Sequence, residues 1–256
     1  FLKKELQTAK NEGGSTEVNF KTKHLNIWTD APRVWIPDEI WMKGADMASD
    51  AELAGAVCHG GLDLGKTRDF SAYVMMYRIG DDYYLKPRFP IPSQSFKNSD
   101  REDYLQWQQA GLLTIMDGYA MRPDQIANDI MSESKRTLIS SIAYDPYLAT
   151  HGTVQLLLDA GYTLSPLKQG IPLSPYVKEF ERLVFSGKIH HGGHPILRWM
   201  MSNVVVDTDP QGNLKMNKAK SGNKIDGIAA TINALAQFMD FKDDSDIYVK
   251  QDIRFL

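Results

Sequence analysis

The strongest constraint on the fold lies just after one glycine-rich loop. The stretch GGLDLGKTRDFSA, Gly60 to Ala72, satisfies the phosphate-loop pattern G-x-x-x-x-G-K-[ST] through Gly60, Gly65, Lys66 and Thr67. Such a loop holds a phosphate only when a helix comes directly after it, because the free N–H groups of the helix start do the binding. Here the continuation is FSAYVMMYRI, then Gly80-Asp81-Asp82, then YYLKPRF. Aromatic and β-branched residues around a turn signal predict a strand over 70–79, a hairpin, and a return strand from Tyr83 to Phe89. An acid at Asp63 would also repel phosphate from the cradle. The segment therefore reads as strand, turn, strand. Asp63 ends the first strand, Gly60 and Gly61 allow a neighbouring backbone to come close, and Gly65 makes the turn.

The rest of the chain alternates. Residues 101–110 read as a short helix and Leu112 to Met116 as a short strand. Pro123 opens a helix to about Arg136, and Leu138 to Tyr144 form an apolar strand that ends at Asp145. A helix over about 150–160 closes at Gly161, and Tyr162 to Leu167 read as a strand. Ser174-Pro175 starts a helix through Phe185, closed by Gly187. Asp209-Pro210-Gln211-Gly212 joins two strands, Val204 to Asp207 and Asn213 to Met216. In the last helix Ile225, Ile228, Ala229, Ile232, Leu235, Ala236 and Met239 step by three and four. A hairpin followed by alternating helices and strands predicts an α/β sheet with both pairing modes. Residues 15–50 carry Trp28, Trp35 and Trp41 between prolines, and read either as an arm that packs aromatic anchors or as an interdomain linker.

Composition excludes several classes. Of 256 residues, 43% are apolar and 24% charged, as in ordinary globular proteins. The one cysteine, Cys58, excludes an internal disulfide and fits a reducing compartment. No run approaches the roughly eighteen apolar residues of a membrane span, and no secretory signal is visible. The net charge of −3 argues against a general nucleic-acid binder, but Lys215, Lys218, Lys220 and Lys224 lie close together with no acid between them. Such a cluster suits phosphate contact, as do Lys66 and Arg68 beside Asp63, although a solvated loop would read the same way. His190, His191 and His194 in KIHHGGHP lack metal-site spacing and read as a loop cluster before a helix.

Three acids stand at the ends of apolar elements. Asp63 and Asp145 end strands, and α/β sheets place their ligands at that edge. Asp226 lies in the first turn of the last helix, where Gly227, Ala229 and Ala230 would let the helix pack close to the sheet. Two of them have a plainer account alone: a turn cap for Asp63, a favourable helix-dipole position for Asp226. Together, three converging carboxylates would need Mg²⁺ or Mn²⁺ to offset their repulsion. Two such cations suit phosphodiester hydrolysis.

In this order, GLDLGKTRDFSA, AYDPYLA and KIDGIAATINAL resemble the nuclease domain of phage terminase large subunits. The resemblance extends to KHLNIW (Lys23 to Trp28), to Gln169-Gly170 with LSPYVKEFERLV, and to GGHPILRWMMSNVVVDTDPQGNLKMNKAKS, so it spans nearly the whole chain. It implies a ribonuclease H-like mixed β-sheet flanked by helices, with an N-terminal arm. It implies a metal-dependent endonuclease that cuts concatemeric double-stranded viral DNA during packaging. Asp63, Asp145 and Asp226 would be its metal-binding catalytic acids, with two Mg²⁺ or Mn²⁺ ions; Asp69 could be an auxiliary, with a turn or surface role as its plainer reading. It implies as partners DNA, a motor ATPase domain on the same full-length chain, a small terminase subunit and the capsid portal. The setting would be the cytoplasm of an infected bacterium, with no membrane. The chain starts at Phe1, and no Walker A strand-loop-helix or Walker B strand is seen. Expected domains are therefore 1–50, a linker or arm after the motor; 51–242, the nuclease; and 243–256, a tail. A resolvase or transposase relative, or a degenerate DNA or portal docking module, are the alternatives. The KHLNIW arm and the long match after Gln169 speak against the first, and the three retained carboxylates against the second.

Overall fold

A computed structural model describes residues 2–12, 20–21, 24–25, 35–65, 70–99, 101–148, 152–218, 220–221 and 223–240. Lys66, Arg68 and Asp69, most of KHLNIW, and the expected tail 243–256 lie outside these.

The first strand, β1, is Val57–Asp63, and the hairpin comes after it as β2 (Ala72–Ile79) and β3 (Asp82–Arg88). Gly80, at φ 61°, makes the two-residue turn, a backbone conformation that a side chain would strain. β1 pairs antiparallel with β2, and β2 with β3. On the other side of β1 come β6 (Ile139–Tyr144) and then β7 (Leu164–Pro166), both parallel. β8 (Ile189–His190) lies parallel to β3, so the sheet runs β7-β6-β1-β2-β3-β8. Two small sheets complete the strands: β4 (Pro90–Pro92) with β5 (Thr114–Met116), and β9 (Val206–Thr208) with β10 (Leu214–Met216). This is the mixed α/β sheet the sequence implied.

Alternation along β2 splits the core in two. Ala72, Val74 and Met76 face one cluster; Tyr73, Met75 and Tyr77 face the other. The helices are α1 (Leu2–Glu12), α2 (Asp38–Trp41), α3 (Asp50–Ala54), α4 (Ser93–Lys97), α5 (Glu102–Gln109), α6 (Pro123–Glu133), α7 (Gly152–Asp159), α8 (Ser174–Phe185), α9 (Pro195–Asn203) and α10 (Asp226–Asp240). Helices α8, α9 and α10 contribute to the first cluster, and α6 and α7 to the second. Ile36 and Trp41, ahead of β1, are fully buried in the first. The Trp41 ring stacks on His191 with centroids 4.1 Å apart, and Gly44 O accepts a 2.7 Å bond from His191 N–H.

Helix α10 is buried on nearly every side from Gly227 to Gln237 and crosses β1, β2 and β6. A helix that is apolar all round belongs in the middle of a core. Its placement brings its first residue, Asp226, to the edge where β1 and β6 end.

Candidate active site

Asp63 is the last residue of β1, and Asp145 comes directly after β6. The two strands are parallel neighbours with Leu62 opposite Tyr144, so both acids leave the sheet at one edge. Asp226 approaches the same edge from α10, at a helix start that favours a carboxylate. The side chains of Asp63 and Asp226 are 9% and 14% exposed.

The positions of these acids are fixed by close packing and by buried polar contacts. A Cβ on Gly61 would lie 2.0 Å from Ala230 O and 2.5 Å from Ala234 N, so the helix touches bare strand backbone there. Asn233 Nδ2 donates to Leu62 O at 2.8 Å, tying α10 to the residue before Asp63. Further along, Ser141 Oγ donates to Gln237 Oε1 at 2.8 Å and meets His59 Nδ1 at 2.7 Å. These contacts lock α10, β1 and β6 in register. Sequence reasoning passed over Asn233, Gln237, Ser141 and His59. The available signal was two polar residues one turn apart in an otherwise apolar helix.

The acids enclose a cation of the protein's own. Lys218 Nζ lies 2.6 Å from Asp63 Oδ2 and 3.9 Å from Asp226 Oδ1. Partial burial works against the ammonium, but Asp63 and Asp226, and Asp145 after them, hold its pKa above the ordinary lysine value. Asp145 itself accepts a 2.9 Å bond from Tyr147 N–H, capping the turn after β6. Among the described residues no three Asp, Glu, His or Cys side chains are gathered tightly enough to enclose a metal. The donor set is nonetheless hard oxygen, which suits Mg²⁺ or Mn²⁺, and a positive group already sits between two of its members.

The remaining expected lysines divide. Lys220 pairs with Asp207 at 2.9 Å, while Lys215 is exposed on β10. The partly buried Lys224 offers its backbone carbonyl to Asn203 Nδ2 at 3.1 Å. The histidines are structural in their contacts. His190, on the edge strand β8, bridges Asp46 and Asp82 at 2.8 and 3.1 Å. Both acids are held below the usual carboxylate range, chiefly by that hydrogen bond.

Comparison with known proteins identifies this architecture. The family described as terminase large subunit, endonuclease domain, matches residues 2–241. Protein YmfN of Escherichia coli K12 is 31% identical over 98% of this chain and 57% of its own length. The terminase large subunit of Enterobacteria phage HK97 is 27% identical over 84% of this chain and 44% of its own. The chain thus spans about half the length of these curated relatives. The crystal structure of the bacteriophage HK97 large terminase superposes with a TM-score of 0.71 at 24% identity, covering 91% of this chain and 49% of that one. The large terminase of a thermophilic bacteriophage, in complex with ADP, gives 0.56 at 11% identity, covering 93% and 52%. With the ribonuclease H-like sheet, the shared fold and the match over nearly its whole length, the chain belongs to the terminase large subunit endonuclease-domain family.

Proposed function

We propose that this domain is a metal-dependent endonuclease that cuts concatemeric double-stranded viral DNA during genome packaging. The observation that supports this most is the meeting of Asp63 and Asp226 around one ammonium, with Asp145 at the same sheet edge, in a chain of this family. Asp63, Asp145 and Asp226 hold two divalent cations, Mg²⁺ or Mn²⁺. When bound, such ions supply an activated water and stabilise the leaving oxygen of the phosphodiester. The carboxylates orient that assembly, and the rigid β1–β6–α10 corner keeps them in place without DNA. Lys66, Arg68, Lys215, Lys218, Lys220 and Lys224 are the DNA-contacting set, neutralising backbone phosphates without reading bases.

The wider setting belongs to the same proposal. Relatives about twice as long suit a full-length chain carrying a motor ATPase domain, followed by the linker or arm of residues 1–50, whose Ile36 and Trp41 pack into the nuclease core, a nuclease domain over 51–242, and 243–256 as a tail. Targeting then rests on a small terminase subunit and the capsid portal, in the cytoplasm of the infected bacterium.

The test is plasmid cleavage. With Mn²⁺ or Mg²⁺ the protein nicks or linearises supercoiled DNA, and EDTA stops it. Asp63→Ala, Asp145→Ala and Asp226→Ala each abolish cleavage while keeping the native circular dichroism spectrum. No cleavage with either metal across a range of salt would overturn the enzymatic reading of this domain and favour a docking module.

A further inference from the structure

The position of Lys218 is more specific than a DNA-facing lysine requires. Two weakly exposed carboxylates close to one another cannot both stay ionised without a cation. Lys218 supplies that charge at 2.6 Å from Asp63 and 3.9 Å from Asp226. Its side chain is 55% exposed, so the ammonium reaches the acids from solvent and is not sealed into the core.

The segment that carries it is anchored. Asn217 N–H donates to Val205 O at 2.8 Å, and Asn217 Nδ2 donates to Asp207 Oδ2 at 2.7 Å. Ser221 N–H and Oγ both donate to Asn217 O, at 3.0 and 2.7 Å. The backbone at Asn217, directly before Lys218, is therefore tied down, which leaves the long lysine side chain as the part free to change partner. A divalent ion bound by Asp63 and Asp226 would need the carboxylate oxygens that now face the ammonium. Two positive groups cannot share those oxygens at contact distance.

We propose that Lys218 is the resident counter-cation of the carboxylate site, holding Asp63 and Asp226 together before metal arrives and yielding its place when a divalent ion enters. It is a positioning residue in the metal-free protein and a competitor for the metal. The inference rests on the metal-dependent reading above. It assigns Lys218 a role beyond contact with a DNA phosphate.

The experiment uses Mn²⁺ alone, without DNA, so that no step depends on cleavage. Isothermal titration calorimetry compares the wild-type protein with K218M and K218R, and thermal unfolding is followed in EDTA and in saturating Mn²⁺. Removing the competing charge should tighten Mn²⁺ binding in K218M by about tenfold or more, the effect of one close charge. K218M should melt lower than wild type in EDTA, and the gap should close in Mn²⁺. K218R should behave as wild type in both measurements. If K218M does not fold, K218Q reads the same competition with a neutral polar side chain. Unchanged or weaker Mn²⁺ binding in the neutral variants, with wild type binding normally, would overturn this inference alone. Absence of Mn²⁺ binding in every form, wild type included, would overturn the metal-dependent reading and this inference with it.

Discussion

At the scale of single residues, the site depends on one missing side chain and the pH response draws on buried histidine rings. Gly61 has no Cβ because α10 occupies its space, with Ala230 O 2.0 Å from where that carbon would sit. Backbone on both sides cannot give way as a flexible side chain would. Gly61→Ala should therefore cost about 3 kcal/mol, the upper part of the range for overpacking, and should move Asp226 away from Asp63. Urea unfolding measures the first effect, and an undiminished midpoint would show that the helix can shift freely. His194 is held low, at about 4, by burial first and then by the charges of Arg88 and His191. Its Nδ1 is buried with no hydrogen-bond partner among the described residues. A histidine depressed in the folded state keeps its full contribution above its unfolded value of 6.5. The contribution is lost as pH falls from 6.5 toward about 4, because the unfolded chain takes the proton first. The slope for this one group is at most about 1.4 kcal/mol per pH unit. His191, also depressed by burial, adds to the loss below 6.5, while Asp46 and Asp82, depressed as well, begin to lose their contributions as pH falls through their unfolded value of 3.8, at the lower end of this window. Urea midpoints between pH 7.5 and 4.5 should fall steeply in the wild type and less steeply in His194→Gln.

At the scale of elements, patterns that repeat were legible and contacts that do not repeat were not. The hairpin β2–β3 showed itself through its aromatic and β-branched run and its Gly-Asp-Asp turn. Helix α8 runs from Ser174 to Phe185, the bounds implied by Ser-Pro and Gly187. The strands β4 and β8 have three and two residues, too few for any period, and exist because distant partners offer hydrogen bonds. The ends of β1, β6 and α10 were readable, which is why Asp63, Asp145 and Asp226 could be named together. The partner of Lys218 was not, because no local pattern separates a lysine facing phosphate from one facing Asp63. The same holds for Asn233, whose bond to Leu62 O spans most of the chain. Asn233→Leu would leave that carbonyl without its side-chain donor, at a cost of about 1–3 kcal/mol. It should also lower plasmid nicking at temperatures where the protein is still folded, since α10 loses its tie beside Asp63. Nicking that survives in proportion to the folded fraction would reduce Asn233 to a stabilising role.

At the scale of the whole molecule, the question is how much chain the nuclease needs in order to fold. The expected nuclease boundary lies at residue 51, yet Ile36 and Trp41 are 2% and 1% exposed within the core that contains α8, α9 and α10. Trp35 Nε1 donates to Glu181 on α8 at 2.6 Å, and Gly44 meets β8 so closely that a Cβ there would lie 1.9 Å from Ile189 O. The segment ahead of β1 thus covers the same face of the sheet that seats α10 and with it Asp226. Truncating a single buried tryptophan to alanine costs about 3–5 kcal/mol. Losing Trp41, Ile36 and the strap from Gly44 together approaches the whole stability of a typical domain, about 5–15 kcal/mol. A protein spanning residues 51–256 should therefore fail to unfold cooperatively or melt far below one spanning 35–256. The longer form should keep both its melting temperature and its plasmid nicking. Thermal unfolding followed by circular dichroism decides between them. Equal melting temperatures would mean that residues 35–50 only decorate the domain and that the nuclease is complete from residue 51.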